Sequence, residues 1–136
     1  MSVELLSPEG LFQPVPYHHV AIGTGSRHVH VAGQIDRDGE GRARSGGDLR
    51  GQVAEVLRNA HRGLAGAGAT FDDVVRLRFF AARWQPEHMD AFLAGVADVA
   101  DELGLPSPMP PASLIGVDIL FQPDVRIELE VEAIVD

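Results

Sequence analysis

The chain has 136 residues, 45% apolar and 23% charged, a mixture typical of one folded domain rather than a disordered segment. It contains no cysteine, which excludes disulfides, a thiolate nucleophile and a cysteine-based zinc site, and fits a reducing compartment. The formal charge is −9, lysine is absent and the arginines are scattered. Binding to a phosphate backbone needs clustered cations, so nucleic acid is not an expected partner, although a local arginine pocket is not excluded.

The start, Met1-Ser2-Val3-Glu4, lacks a basic region and a long apolar run, so it does not read as a signal peptide. No apolar stretch approaches the length of a membrane span, which makes the cytoplasm the expected location and a membrane partner unexpected. Residues 1–16 hold Pro8, Gly10, Pro14 and Pro16 and read as an extended arm. Two β-like runs, His18 to Gly23 and Arg27 to Gly33, flank Thr24-Gly25-Ser26, a link suited to a hairpin. Residues 36–47, rich in glycine and charge, read as a loop.

Val53, Val56, Leu57, Ala60 and Leu64 recur at helical spacing, with Asp48 as N-cap and Gly66 or Gly68 as the stop. Val74 to Ala82 alternates as a strand. A second helix starts at Pro86 and ends at Gly104, with Met89, Phe92, Leu93, Val96, Ala100 and Leu103 along its apolar stripe. After the prolines at 106, 108, 110 and 111 come two more strands, Ser113 to Phe121 and Val125 to Val135. The order β-β-α-β-α-β-β predicts a single α/β (α+β) domain over 1–136, with two helices packed on one face of a mixed sheet.

Several local words, in this order and spacing, carry a resemblance to a known family. They are Pro16-Tyr17, Val31-Ala32-Gly33-Gln34-Ile35 with Gly39 to Gly41, Val53 through Leu64 leading to Gly68, Phe71-Asp72-Asp73-Val74-Val75, Pro110-Pro111-Ala112-Ser113, and Val125 through Ile134. Over nearly its whole length the chain resembles the Rid family (reactive intermediate deaminase; YjgF/YER057c/UK114), some of whose members are labelled endoribonuclease L-PSP. The resemblance implies a chorismate-mutase-like fold and a homotrimer with small-molecule clefts between subunits. For deaminating members it also implies hydrolysis of 2-imino acids to 2-keto acids and ammonia without metal or organic cofactor. In that reaction a bidentate arginine holds the substrate carboxylate and a carboxylate activates water.

Residue by residue, the resemblance places Tyr17, Gly33 and a late glutamate, Glu128 or Glu130, in the cleft. Ala112 stands where the carboxylate-binding arginine is expected. Its absence removes charge-assisted contacts of about 1.5–3 kcal/mol each. Leu114, following Ser113, replaces a cysteine, Ala32 replaces a small hydroxyl residue before Gly33, and Asp90 falls near a second-helix asparagine. An arginine from another segment or subunit would have to reach the space vacated at Ala112 for the family reaction to survive; if apolar side chains fill that space instead, 2-imino-acid hydrolysis should be undetectable. Arg76, Arg78, Arg83 and Arg126 are the candidate cations, and each also reads as a surface or salt-bridge residue.

Strand alternation puts Glu128, Glu130 and Glu132 on one face, which by pattern alone is a solvated face. His18, His19, His28 and His30 crowd the predicted hairpin. His28 and His30 share a face at ligand spacing, but no acidic residue completes a metal set. His18, next to Tyr17, is the imidazole best placed for a cleft, with ordinary surface histidines as the alternative. Trp84 is either a pocket wall or a cap over the second helix. Two functions stay open: an imine or enamine hydrolase with an altered anion clamp, and a non-catalytic trimer that binds a small ligand or a partner protein. Acidity and the lack of lysine disfavour the endoribonuclease reading.

Overall fold

The computed structural model describes residues 3–136; Met1 and Ser2, the start of the expected arm, lie outside them. The strands are β1 (Val3–Leu6), β2 (Val20–Gly23), β3 (Arg27–Gln34), β4 (Val74–Ala82), β5 (Ala112–Val117) and β6 (Ile127–Val135). The helices are α1 (Leu49–Gly66) and α2 (Met89–Leu103). Helix α1 starts where its N-cap demands, with the Asp48 carboxylate accepting from the Gly51 N–H. Its stripe Val53, Val56, Leu57, Ala60 and Leu64 is fully buried. Pro86 opens a short 3-10 turn, Pro86–His88, rather than α2 itself, and Gly104 closes α2 in the left-handed region at φ 67°.

The main sheet runs β3-β6-β4-β5. Strand β6 is antiparallel to both β3 and β4, while β5 lies parallel to β4 as the edge strand. Along β6 burial alternates without a break. Ile127, Leu129, Val131, Ala133 and Val135 are buried, and the residues between them are partly exposed. The buried set packs under the helices with Leu77 and Phe79 of β4, and Phe79 meets Phe92 of α2 edge to face at 4.9 Å. The result is the expected mixed sheet with both helices on one face.

Strand pairing departs from the local reading in two places. Strand β2 does not form a hairpin with β3. It pairs with β1, a strand inside the expected arm, in a separate two-stranded sheet. A Cβ on Gly23 would lie 2.6 Å from Ile134 Cδ1, and one on Gly25 would lie 2.5 Å from the Val135 carbonyl oxygen. Those two glycines serve a close crossing past the end of β6 rather than a tight turn. Likewise β5 does not pair with β6, because β4 lies between them; β5 stops at Val117 and leaves Ile119 and Phe121 exposed in the following loop.

One buried polar side chain ties the loops at the ends of α1 and β6 together. Gln52 donates to the carbonyls of Gly47 and Asp124, at 3.2 and 2.8 Å, and its Oε1 accepts from the Arg126 N–H at 2.8 Å. It is 2% exposed. Replacing it with leucine keeps the volume but orphans backbone groups that cost about 1–3 kcal/mol each when buried and unpaired. Gln52→Leu is therefore expected to lose at least about 2 kcal/mol of stability, read from denaturant unfolding, whereas exposed Glu9→Leu should change little.

Candidate functional site

The residues singled out in the sequence fall into two separate places. The first is an apolar cleft of about 420 Å³ at the β5 edge of the sheet. Tyr17, Ala112, Ser113 and Leu114 line it together with Phe12, Met89, Phe92 and Leu93. Two segments are docked to form it. The residues around Tyr17 are fixed by a Tyr17–Met109 bridge and by the His18 N–H donating to the Met109 carbonyl at 2.7 Å. The Pro111-Ala112-Ser113 segment is held against β4, where the Leu77 N–H donates to the Pro111 carbonyl at 2.8 Å.

Among the described residues, no arginine lines this cleft. The space beside Ala112 is instead walled by Phe79, Phe92, Leu114 and Met109, a surface suited to an apolar ligand body. A cation does reach the residue after Ala112: Arg76 of β4 donates from Nη2 to Ser113 Oγ.

The second place is the sheet face that the helices leave uncovered. There the bulge between Val31 and Gln34 in β3 brings Gly33 against Glu128 of β6. A Cβ on Gly33 would fall 2.0 Å from Glu128 Oε2, so the carboxyl group sits where any other residue would put its side chain. Burial, and then the negative charge of Glu130, push the Glu128 carboxyl above the ordinary glutamate range. Glu130 faces a different partner. Arg78 donates to Glu130 Oε1 at 2.9 Å and to Glu132 Oε1 at 3.3 Å. Geometry thus separates two glutamates that alternation left equivalent. Ala32 is exposed on this face beside a shallow polar groove of about 310 Å³ with His30, Arg78, Glu130 and Glu132.

The remaining candidates lie elsewhere. Asp90 is exposed in the first turn of α2 and does not line the cleft, although Met89 and Leu93 do. His18 contributes its backbone rather than a cleft wall. The imidazole that touches Tyr17 belongs to His19, edge-on at 5.3 Å and donating to the Phe12 carbonyl at 2.8 Å. Trp84 packs edge-on against Phe92 and His88 over the start of α2, outside the cleft lining. Arg83 donates to the Pro123 carbonyl, and the Arg126 backbone is bound to Gln52. Among the described residues no group of three or more His, Asp or Glu side chains converges as metal donors, and no helix is long and apolar enough to cross a membrane.

Local patterns could not reveal the Arg76–Ser113 contact, which arises from chain segments that meet only when β5 docks beside β4.

A model of the endoribonuclease L-PSP family matches residues 12–135. A Rid-family protein of unknown function from Yersinia pestis, YyfB, is 32% identical; the match covers 99% of this chain and 100% of that one, with a TM-score of 0.86. Rv2704 of Mycobacterium tuberculosis, a member of the YjgF/YER057c/UK114 family, is 27% identical over 98% of this chain and 100% of that one, at a TM-score of 0.62. E. coli TdcF, solved with bound serine, is 23% identical over 96% and 94% of the two chains, at a TM-score of 0.68, and shares the fold. The E. coli YjgF gene product has the same chorismate-mutase-like architecture, at a TM-score of 0.67. No curated protein matches the chain.

The Gly33–Glu128 packing makes a stability prediction. Gly33→Ala forces a methyl group into the carboxyl group's place and is expected to cost about 1–3 kcal/mol, as overpacked sites do. The double variant Gly33→Ala/Glu128→Ala should recover part of that loss in thermal unfolding. Strict additivity of the two substitutions would show that the two residues do not compete for the space.

Proposed function

Because the chain belongs to the Rid (endoribonuclease L-PSP) family, we propose that it is a small-molecule protein of the cytoplasm that hydrolyses a carbon–nitrogen double bond in a cleft completed between the subunits of a homotrimer. Glu128 carries this reading: a partly desolvated carboxyl group of raised proton affinity, packed on the backbone of Gly33. A carboxylate of that kind is a better base toward water than an ordinary solvated one. It takes a proton from water as the oxygen bonds to the imine carbon and passes that proton to the nitrogen, giving the carbinolamine. The regenerated carboxylate then takes the hydroxyl proton and delivers it to the nitrogen as the carbon–nitrogen bond breaks, so that ammonia leaves and a carbonyl product remains.

Assembly enters the proposal because the two halves of the site are apart within one chain. Tyr17, Ala112, Ser113 and Leu114 line a cleft that contains neither Gly33 nor Glu128. A neighbouring copy docked on the uncovered sheet face brings its own apolar cleft to the Gly33–Glu128 corner. Light scattering should then give three times the 14.6 kDa chain mass.

Within one chain, no arginine among the described residues lines the space beside Ala112, and apolar side chains wall it. Hydrolysis therefore requires a cation from a neighbouring copy. Without one a second reading holds, in which the trimer binds an apolar ligand without reacting with it. An amino-acid oxidase acting on leucine supplies an imine with an apolar body, and its decay is followed with and without the protein. Faster decay, abolished in Glu128→Gln, supports hydrolysis; decay at the uncatalysed rate leaves the silent binder.

The pH dependence has a defined sign. The base form of Glu128 is lost as pH falls through its raised pKa, so the acid limb of activity should lie above the ordinary glutamate range. A raised carboxyl pKa also means that Glu128 costs folding stability once pH exceeds its unfolded value. Glu128→Gln should therefore be inactive yet melt higher than the parent at pH 7, with the difference vanishing toward pH 3.

A further inference from the structure

We propose that the groove between α1 and the loop after β3 is a second ligand site, which binds a phosphorylated small molecule. The groove has a volume of about 470 Å³, and Gln34, Arg37, Asp38, Arg44, Asn59 and Arg62 are among its walls. None of them lines the apolar cleft, so the inference stands apart from the proposed hydrolysis. Charge sets the groove off in a chain with 20 acidic and 11 basic residues. Arg37 is paired with Asp124 at 2.9 Å, and the Asp38 carboxylate with Arg42 at 3.4 Å. Arg44 and Arg62 have no ion-paired carboxylate among the described residues. Glu102 feels the charge of Arg62, but both its oxygens accept from Arg58 at 3.1 Å. Two uncompensated guanidinium groups therefore line one groove.

Both are held in place. Asp36, 1% exposed and in no ion pair, accepts from the Arg44 and Ser45 N–H groups and from the Ser45 hydroxyl. Burying a carboxylate on hydrogen bonds alone is costly, and what these bonds secure is the backbone that carries Arg44. Across the groove, Asn59 Nδ2 donates to the carbonyls of Ile35 and Arg37 at 2.9 and 3.0 Å, and its Oδ1 accepts from Arg62 Nη1 at 2.8 Å. One side chain thus pins the loop to α1 and orients Arg62, whose other N–H groups have no protein partner among the described residues. A phosphate group has oxygens enough to accept from both arginines at once. Two cations make no track for a nucleic-acid backbone, and a net charge of −9 repels a long polyanion, so the ligand is a small phosphate ester.

The test is a calorimetric titration of the whole chain at low salt with glycerol 2-phosphate, and with glycerol as its uncharged counterpart. The ester is expected to bind saturably and glycerol not at all. Arg44→Gln and Arg62→Gln should each weaken the ester at least about 10-fold, as loss of a charge-assisted hydrogen bond does. Both arginines are exposed, so these variants should keep the parent's melting temperature. Arg27→Gln, which removes the same charge outside the groove, and Glu128→Gln should change ester binding little. Equal weakening by Arg27→Gln reduces the effect to net charge and overturns the site, as does a parent that shows no saturable binding. An oligonucleotide that binds more tightly than the ester, and loses that binding in the Arg44 and Arg62 variants, overturns the small-molecule assignment.

Discussion

Strand β6 is paired on both edges and covered on one face only. Every second residue from Ile127 to Val135 is buried beneath the helices, so the side chains between them have no choice of direction. Glu128, Glu130 and Glu132 must project together from the opposite face of a central strand. A one-residue slip would bury three carboxylates under α1 and α2, at a cost no neighbouring cation on that side could offset. The register of the sheet and the acidity of its open face are therefore one constraint.

What surrounds each glutamate follows from its position along that row. Glu128 meets the β3 bulge and the bare backbone of Gly33, where it is partly desolvated and, among the described residues, has no cation paired with it. Glu130 and Glu132 meet β4, where Arg78 spans both. The same pairing leaves Arg76 without an ion-paired carboxylate among the described residues, and its guanidinium bonds Ser113 of β5 instead. A base without a cation and a cation without an anion thus arise from one ladder, on opposite sides of the Arg78 pair. Exposed ion pairs contribute little to stability, so this arrangement is better understood as a means of placing charge than of holding the sheet together.

Features that depend on nearby residues were legible in the sequence. The stripe and N-cap of α1, the alternation of β4 and β6, and the left-handed stop at Gly104 are all decided within a few residues. Strand partners were not, because β6 inserts between β3 and β4 and displaces the hairpins that adjacency suggests. Gly25 read as a turn glycine, but its freedom is spent on approaching Val135. At the site, residues 17 and 112–114 could be named from their family words, and the cleft does bring them together. Choosing between Glu128 and Glu130 required the bulge, and seeing Arg76 required the parallel register of β5.

If the proposed function holds, the uncovered face also explains why a single copy would be chemically incomplete. It presents Phe80, Ile115 and Ile134 among the charged side chains, and Ile115 is 39% exposed. A face that mixes apolar side chains with prepaired ions can be buried at modest electrostatic cost, since Arg78 already neutralises its two glutamates internally. Glu128 is the exception: further burial raises its proton affinity still more. Assembly on this face would therefore strengthen the base at the same step that brings it an apolar cleft from the next copy. The reactive carboxylate and the binding surface would become competent together, and neither would be fully formed in an isolated chain.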